Sequence, residues 1–582
     1  MKRCVSPVLI FLIMTVLSTI GISRSHAAGA AVGQASELIP ATADSQLGGM
    51  SDAEVLRLGE QMYRHGILPS GEVMEGLIHG DIEIDSSAFS CSSCHQRAGL
   101  GSFEGGVVTP PTTGNELYQP YIRPPTLNDN PAGQGRSFYA KTILERPAYT
   151  RETLKRALRF GEDPLGQSFN EIMPRYPLED RDMAILVRYL ELLSRDYSPG
   201  TTGTSFSFAT IITDDVSPED RNALLVPLRR FIQEQNQQIA MFRKFLKLGY
   251  KPTGDMKYAF RAASLKVWEL KGPASTWKDQ LADYLARDKV FAVLGGISNQ
   301  DWRPIHEFCE ARRLPCLFPV TNLPVVSAED FYTFYFNKGY FQEGEAAARY
   351  LKREGVTAIL QLVEDSPAGR ALAAGFAAGR EEIGLPTEVS ITLSEQQLQN
   401  SQQLAALVAQ HQPDVVLLWT NSSSLQALPG IAGRAAAPER IFLSSLLLGQ
   451  ALADIPDTLR QLVFITWPYR LKPYVGDEEG SGFLSRLPIE TTWQSFGAPR
   501  IASRTATMLD TTIIQGLQSI ENNLYRDHLL DEMSMQMDRV VFDYERISFG
   551  PGQRFVSKGC YIIQLGPGPQ PELVPRSEWV IH

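Results

Sequence analysis

The stretch Cys91-Ser92-Ser93-Cys94-His95 decides the architecture of the first part of this 582-residue chain. The pattern C-x-x-C-H attaches a c-type haem covalently: two thiols one helical turn apart bond the porphyrin edge, and the adjacent histidine binds the iron. Three alternatives use the same residues, namely a thioredoxin-like dithiol, a structural disulfide, or half of a zinc site that would need a second Cys/His pair. We predict one haem c, bonded to Cys91 and Cys94, with His95 as an axial ligand.

The N-terminus is typical of an export signal. Lys2 and Arg3 precede an apolar run that ends near Ile20, and small residues follow before Ala28. This run is short for a membrane span, and its exit is that of a signal-peptidase site. We therefore predict a signal peptide over residues 1–27 and a mature, soluble periplasmic chain with no stable membrane span. Retention of the segment as an uncleaved anchor is the alternative.

The composition indicates ordinary globular domains. Hydrophobic residues make up 43% of the chain and charged residues 21%, and 582 residues suggest more than one domain. The formal net charge is -10 and no Lys/Arg-rich run is present. Since nucleic-acid binding depends on neutralising phosphates, nucleic acid is excluded as an expected partner, and small molecules or proteins are favoured.

Two amphipathic helices are predicted on either side of the haem motif. Ser51 and Glu54 have capping-box spacing and begin the first, and apolar residues recur at helical intervals from Met183 to Leu193 in the second. This arrangement resembles the class I cytochrome c family, whose N- and C-terminal helices cross at a glycine beside aromatic residues. The resemblance implies a small all-α cytochrome c domain over residues 51–196. The residues that match the crossing are Gly59, Tyr63, Tyr189 and Leu190.

The same resemblance implies a distal iron ligand on a loop before the last helix, where this chain has Met173-Pro174. We predict Met173 as that ligand, because methionine opposite histidine raises the haem potential, which suits an electron acceptor. In the alternative, Met173 is a core residue and the ligand is a histidine or one of Met62, Met74 and Met183. The long connection between the haem motif and Met173 is rich in glycine and proline, which predicts irregular backbone that wraps the haem edge and a docking surface for a redox partner.

A Gly/Pro/Thr-rich stretch at residues 197–205 predicts a linker between two domains. Beyond it, short apolar runs alternate with helical stretches, which is typical of βαβ units and parallel sheets. The runs that predict strands are Phe291 to Leu294, Ala358 to Val363 and Val415 to Trp419.

Several longer segments after the linker resemble the type 1 periplasmic solute-binding proteins, particularly the branched-chain amino-acid and amide receptors. These segments are Val293-Leu294-Gly295-Gly296-Ile297-Ser298-Asn299, the run from Pro315 to Asn322, Gly344 to Ala348, Gly369 to Phe376, and Pro413 to Val416. The resemblance implies a two-lobed α/β domain over residues 206–568 that holds a small-molecule ligand in its cleft and closes about a hinge. The chain is thus predicted to be multidomain, with a small all-α cytochrome c domain followed by this two-lobed α/β domain.

The solute-binding resemblance also implies ligand contacts from loops at strand ends and helix N-termini, where amides and hydroxyls hold an anionic group. Ser298 and Thr321 occupy the matching places in the first lobe, and Thr420 and Asn421 occupy them in the second. Each of the four has a simpler interpretation as a cap or turn residue.

One departure from the receptor pattern bears on the ligand. Amino-acid-binding relatives place a carboxylate on the loop after the next strand, where this chain has Leu446. A desolvated ammonium without a counter-charge is costly. We therefore expect a carboxylate, alcohol or aromatic ligand in place of an α-amino acid.

Together these patterns predict an exported monohaem cytochrome that transfers electrons with a periplasmic redox partner and is coupled to a small-molecule-binding domain. The alternative is the solute-binding receptor of an ABC-type transporter, with the cytochrome as redox sensor or tether. We do not expect an enzyme, because the sequence contains no set of nucleophile, base and orienting group, and methionine ligation fills the open iron position.

Overall fold

The computed structural model divides the chain into two compact units. The first comprises the described residues of Met1–Ser198 together with Ile520–Asp531, and the second comprises most of the remainder. The structure describes residues 47, 49–80, 82–104, 107–122, 145–249, 261–327, 329–433, 437–472, 492, 494–509, 513–541, 543–549 and 553–581. The predicted signal peptide at 1–27 and part of the connection before Met173, at 123–144, lie outside these residues.

The first unit is built on two crossing helices, as predicted. Helix Asp52–His65 begins after Ser51, whose hydroxyl accepts a hydrogen bond from the Glu54 N–H at 3.3 Å. Helix Asp180–Leu192 crosses it so closely that a Cβ atom on Gly59 would lie 2.3 Å from the Cβ of Tyr189. The rings of Tyr63 and Tyr189 meet at 5.5 Å beside the crossing. The predicted glycine crossing is therefore confirmed.

The prediction of an all-α first unit is wrong in one respect, because short antiparallel ribbons connect the helices. The ribbons satisfy the backbone polar groups of connections that carry little helical periodicity. The strands are β1 (Glu75–Ile78) with β2 (Ile82–Asp85), β3 (Ser102–Glu104) with β4 (Val107–Thr109), and β5 (Tyr121–Ile122) with β6 (Glu145–Arg146). The other helices among the described residues of 1–198 are Cys91–His95, Gly114–Leu117 and Arg151–Phe160.

A segment from late in the chain completes the first unit. The Arg64 guanidinium pairs with the Asp527 carboxylate, and the backbone N–H of Arg97 donates to a carboxylate oxygen of Asp531 at 3.1 Å. Burial raises the pKa of Asp531 to about 7. Nothing in the sequence pattern predicted this return of the chain, and the boundaries 51–196 and 206–568 stay predictions.

The first lobe of the second unit is built on a mostly parallel sheet. Its strands are β7 (Thr201–Thr202), β8 (Ser205–Thr213), β9 (Ala262–Leu270), β10 (Ala292–Leu294), β11 (Cys316–Leu317) and β12 (Thr333–Phe334). Strands β9, β8, β10, β11 and β12 lie side by side in parallel, and β7 pairs antiparallel with β8. Since β7 falls within the predicted linker, part of that linker is sheet. The helices of this lobe before residue 320 are Pro218–Lys247, Trp277–Asp288 and Arg303–Ala311.

The second lobe carries a larger mixed sheet in the order β14, β13, β15, β16, β17, β18, β19, with the first five strands parallel. Its strands are β13 (Ile359–Glu364), β14 (Val389–Leu393), β15 (Val415–Trp419), β16 (Arg440–Ser444), β17 (Val463–Trp467), β18 (Gly559–Leu565), β19 (Leu573–Pro575) and β20 (Val580–Ile581). Its helices are Tyr340–Glu354, Pro367–Ile383, Glu395–Leu398, Ser401–His411, Leu428–Ala432 and Ser445–Leu448. The three predicted strands and the βαβ alternation are confirmed.

The described chain crosses between the lobes near residues 335–339 and 553–558, and it also changes lobe between the end of β17 at Trp467 and helix Ala498–Met508. Two passages pair directly, because the Tyr335 N–H donates to the Arg554 carbonyl at 2.8 Å and the Ser557 N–H donates to the Phe336 carbonyl at 2.7 Å. After the middle passage, helix Ala498–Met508 packs on helix Pro218–Lys247 of the first lobe. Helices Ile514–Ser519 and Arg526–Ser534 follow it. No helix among the described residues is both long and apolar enough to span a membrane.

Candidate functional site

The predicted haem motif forms a single helical turn, Cys91–His95, at the end of which His95 is buried. The Nδ1 atom of His95 lies 2.8 Å from the carbonyl oxygen of Pro110. A carbonyl only accepts, so Nδ1 carries the proton and Nε2 keeps the lone pair. Metal-binding histidines in proteins are commonly oriented in this way. His95 thus has the tautomer that an iron ligand requires.

The two cysteines of the motif differ in their surroundings. Cys94 is exposed, whereas Cys91 packs against the core of the first unit beside the hydroxyl of Tyr176. Burial raises the pKa of the Cys91 thiol to about 11. A thioredoxin-like dithiol depends on a lowered pKa, so this environment disfavours that alternative.

Met173 lies on the loop before helix Asp180–Leu192. Arg175 pairs with Leu77 of β1 through two backbone hydrogen bonds of 2.8 Å, and the next residue, Tyr176, reaches Cys91. Met173 itself is half-buried. The three alternative methionine ligands are fully buried in the hydrophobic core of this unit: Met62, Met74 and Met183. The prediction of Met173 as distal ligand stands without a direct test.

Ser298 and Thr321, the predicted ligand residues of the first lobe, follow neighbouring parallel strands at their carboxyl ends. Ile297 and Val320, the residues just before them, are bridged to each other. The Ser298 hydroxyl accepts from the Gln300 N–H, and the Thr321 hydroxyl accepts from the Leu323 N–H, both at 3.0 Å. These are turn contacts. They leave each hydroxyl proton available for donation to a ligand.

Thr420 and Asn421 follow β15 in the second lobe, again at a carboxyl end. The hydroxyl of Thr420 lies 2.6 Å from that of Ser424, and the Asn421 side chain caps the turn that follows. The Asn421 N–H donates to the carboxylate of Glu364, at the end of β13, at 2.7 Å. Their ligand roles also stay predictions, since the contacts in the structure are those of turn and cap residues.

Tyr340 brings the edges of the two lobes together. It opens helix Tyr340–Glu354 directly after the first passage, and its N–H donates to the carbonyl of Asn322, the residue after Thr321, at 3.1 Å. Its phenol hydrogen-bonds with the Asn322 side chain, and burial together with the negative charges of Glu343 and Glu364 raises its pKa. In an open α/β sheet, ligands bind outside the carboxyl ends of the strands. Tyr340 therefore marks the hinge end of the predicted cleft, and sequence reasoning missed it.

Glu343 is the second residue that sequence reasoning missed. Its carboxylate is fully buried and accepts hydrogen bonds from the Ser445 hydroxyl at 2.7 Å, the Ser445 N–H at 3.1 Å and the Leu446 N–H at 3.3 Å, while Ser444 contacts its other oxygen. It therefore holds the loop that contains Ser445 and Leu446. Both of its oxygens are engaged by the protein, which supports the expectation of a ligand without an α-ammonium group.

Glu343 also predicts a pH dependence of stability. Burial raises the pKa of Glu343 to about 7. Between its unfolded pKa near 4.5 and about pH 7, the folded state binds the extra proton, so stability falls as pH rises through this window, by up to about 3 kcal/mol. We expect Glu343→Gln to flatten that fall in urea unfolding of the second unit at pH 5 and pH 8. The surface variant Glu382→Gln is the control, and an equal slope in wild type and Glu343→Gln would contradict the assignment.

A family model described as Periplasmic binding protein matches residues 270–487 of this chain. The match spans most of the second lobe and part of the first. All of the matched residues belong to the second unit. A search of curated proteins found no match to this chain.

Solved structures similar to this chain include a putative branched-chain amino acid ABC transporter protein from Rhodospirillum rubrum, at 13% identity and a TM-score of 0.45, covering 64% of this chain and 99% of that one. A second is a branched-chain amino acid ABC transporter protein from Thermus thermophilus with bound valine, at 13% identity and a TM-score of 0.44, covering 66% of this chain and 97% of that one. A third is a fatty acid ABC transporter substrate-binding protein from Thermomonospora curvata, at 14% identity and a TM-score of 0.42, covering 66% of this chain and 95% of that one.

Proposed function

We propose that this chain is an exported, periplasmic solute-binding receptor of the ABC-transporter type whose first unit carries one covalently attached haem c. The receptor part rests on the periplasmic-binding-protein domain at residues 270–487. The haem part rests on the C-x-x-C-H motif. Neither part calls for an enzyme activity.

The observation that carries the receptor proposal is the convergence of polar strand ends at the hinge. Tyr340 contacts Asn322 of the first lobe and lies in the field of Glu343 and Glu364 of the second. Three passages of chain connect the lobes there, and bending at such a hinge lets a receptor close on its solute. A membrane permease that receives the solute can then recognise the closed form.

The residues of the first unit fit a haem c. Cys91 and Cys94 lie one helical turn apart. The Nε2 atom of His95 is available to iron because Nδ1 is hydrogen-bonded to the Pro110 carbonyl. Tyr176, on the same loop as Met173, hydrogen-bonds with Cys91. When bound, the haem supplies reversible one-electron transfer. The protein residues fix the histidine tautomer and ring orientation, and Tyr63 donates to the Gln96 carbonyl at 2.9 Å, which holds the turn after His95.

A native mass spectrum of the protein purified from the periplasm, compared with its denatured spectrum, tests both parts. We expect one haem to stay on the denatured chain and a small molecule to be lost from the native protein. A denatured mass without haem would overturn the haem part. Failure of every tested solute class to bind, together with no bound small molecule, would overturn the receptor part.

Met173 is tested by replacement with alanine. We expect Met173→Ala to lower the haem potential by roughly 0.1–0.2 V, since axial ligands tune it over about 0.8 V. We also expect the reduced protein to bind carbon monoxide. The matched control is Met183→Leu in the core, which should leave spectrum and potential unchanged. An unchanged spectrum for Met173→Ala would mean that another residue is the distal ligand.

Electron transfer with a periplasmic redox partner is the second candidate function, and the haem motif is the observation that favours it. A transport receptor has no need of a redox group. If ligand binding shifts the haem potential or the rate of reduction in stopped-flow measurements, the two units act together. Reduction that is indifferent to the ligand and to every candidate partner would leave the haem as a sensor or tether and would overturn this candidate.

A further inference from the structure

The second unit contains a buried arginine, Arg504, for which the described residues supply no ion-pair partner. Arg504, on helix Ala498–Met508, is 4% exposed. Its Nε atom has no hydrogen-bond partner, and the guanidinium forms no ion pair, among the residues that the structure describes. The hydroxyl of Tyr544 is likewise buried without a hydrogen-bond partner in the described part of the chain. A buried polar group without a partner is costly, so two such groups side by side need an explanation.

These two groups line one aromatic site. The Arg504 guanidinium lies 4.8 Å from the ring centroid of Phe336, which stacks on Tyr544 at 5.5 Å. The Tyr544 ring in turn lies 5.9 Å from that of Tyr469. The positive charge of Arg504 acts on both phenols. Phe336 and Tyr469 belong to two of the three passages between the lobes, so the site lies at the hinge.

The charge of this site is unbalanced. The only described carboxylate that acts on Arg504 as a counter-charge is Asp543, and its two oxygens are taken by Arg500, at 2.7 Å, and by the Ser503 hydroxyl. Within the described part of the chain, two buried arginines thus share one carboxylate, which leaves a net positive charge in an aromatic environment. A second carboxylate, supplied from outside, would balance the charge and satisfy both orphaned donors.

The site is continuous with the predicted cleft. Tyr469 follows the carboxyl end of β17 by two residues. β17 lies beside β16, whose last residue, Ser444, contacts Glu343. A ligand held at Arg504 therefore lies near the carboxyl end of β17.

We infer that Arg504 and the Tyr544 hydroxyl bind the carboxylate of a small organic acid, with Phe336 and Tyr469 packing against its apolar or aromatic body. This inference rests on the proposed receptor function and names the ligand class. It assigns to Arg504, at the hinge, the selection of acids over neutral ligands. Glu343, whose oxygens are engaged by Ser444, Ser445 and Leu446, is not available for an ammonium group.

The test uses the full-length protein and a panel of matched pairs: propionate and propionamide, succinate and succinamide, octanoate and octanamide, benzoate and benzamide. We expect at least one acid, and not its amide, to bind in titration calorimetry. Arg504→Gln should weaken that binding by about 10- to 100-fold, because a hydrogen-bonded charge is lost. Arg504→Lys keeps the charge but not the planar fork and should fall in between. Tyr544→Phe should weaken binding several-fold.

Folding of the variants is checked by thermal unfolding without ligand. Arg504→Gln leaves the ion pair of Arg500 and Asp543 intact, so the Tm should not fall, whereas Arg500→Gln leaves Asp543 buried without its arginine and should lower the Tm. A lower Tm for Arg504→Gln would show that the arginine is structural and would overturn the inference.

Three further outcomes would also overturn it: equal binding of acids and amides, full acid affinity in Arg504→Gln, or no binding of any acid. Binding of amino acids or neutral solutes alone would reject the inference and leave the receptor function intact. Absence of binding by any class would reject both.

Discussion

A variant with serine in place of both Cys91 and Cys94 will carry no covalently attached haem. The two thiols sit one turn apart on helix Cys91–His95, which is the only spacing of cysteines in this chain that places a histidine directly after the pair. Without the thioether bonds, extraction with acid and organic solvent will remove any haem that His95 still holds. The measurement is the denatured mass, together with the visible absorbance of the denatured chain.

The neighbouring serines provide the matched control for this prediction. Ser92→Ala and Ser93→Ala alter the same helical turn, where both hydroxyls lie near that of Ser90 at 3.0 and 3.1 Å, and they keep both thiols. We expect the full complement of haem in these variants and one remaining thioether bond in each single cysteine variant. A wild-type chain without haem, or a doubly substituted chain that keeps it after extraction, would show that the motif is a dithiol or a disulfide.

Replacing Gly59 by valine will destabilise the first unit by about 4 kcal/mol, a large share of the stability of a domain of this size. The reason is the helix crossing: a Cβ at this position would lie 2.3 Å from the Cβ of Tyr189 and 2.8 Å from its Cγ. The helices must separate to admit it. The pair of Tyr63 and Tyr189, which meet at 5.5 Å, is then lost. The measurement is urea unfolding followed by tyrosine fluorescence and by haem absorbance.

Alanine at the same position gives a sharper test. In an uncrowded helix, Gly→Ala stabilises by up to about 1 kcal/mol through helix propensity. We therefore expect Gly59→Ala to lower the free energy of unfolding and Gly430→Ala to raise it. At Gly430 the new Cβ would make an ordinary contact of 3.4 Å with Ala405. A stabilising Gly59→Ala would mean that the two helices are not in contact at this position.

Much of the architecture follows from local patterns. The capping-box spacing at Ser51, the apolar spacing of both helices of the first unit, and the apolar runs of β10, β13 and β15 each predicted an element that the structure contains. These patterns work because helices and strands bury one face or both with a fixed period. The haem motif is equally local, since its chemistry needs residues adjacent in sequence.

Long-range features were not predictable in this way. The all-α expectation for the first unit failed because its connections pair with one another, as β1 does with β2. The return of residues 520–531 to the first unit depends on charges far apart in sequence, such as Arg64 with Asp527. The spacing of apolar residues around Arg64 or around Asp527 does not predict that the two side chains pair.

The sequence by itself determined the two amphipathic helices of the first unit and the apolar strands of the second, because each depends on the spacing of residues along the chain. Only the tertiary structure decided that Glu343 is buried beneath the loop of Leu446, and that the Arg504 Nε atom and the Tyr544 hydroxyl are buried with no hydrogen-bond partner among the described residues. From sequence alone, an arginine on an amphipathic helix is expected at the protein surface. Burial and pairing are properties of the folded chain, and the candidate ligand site is made of them.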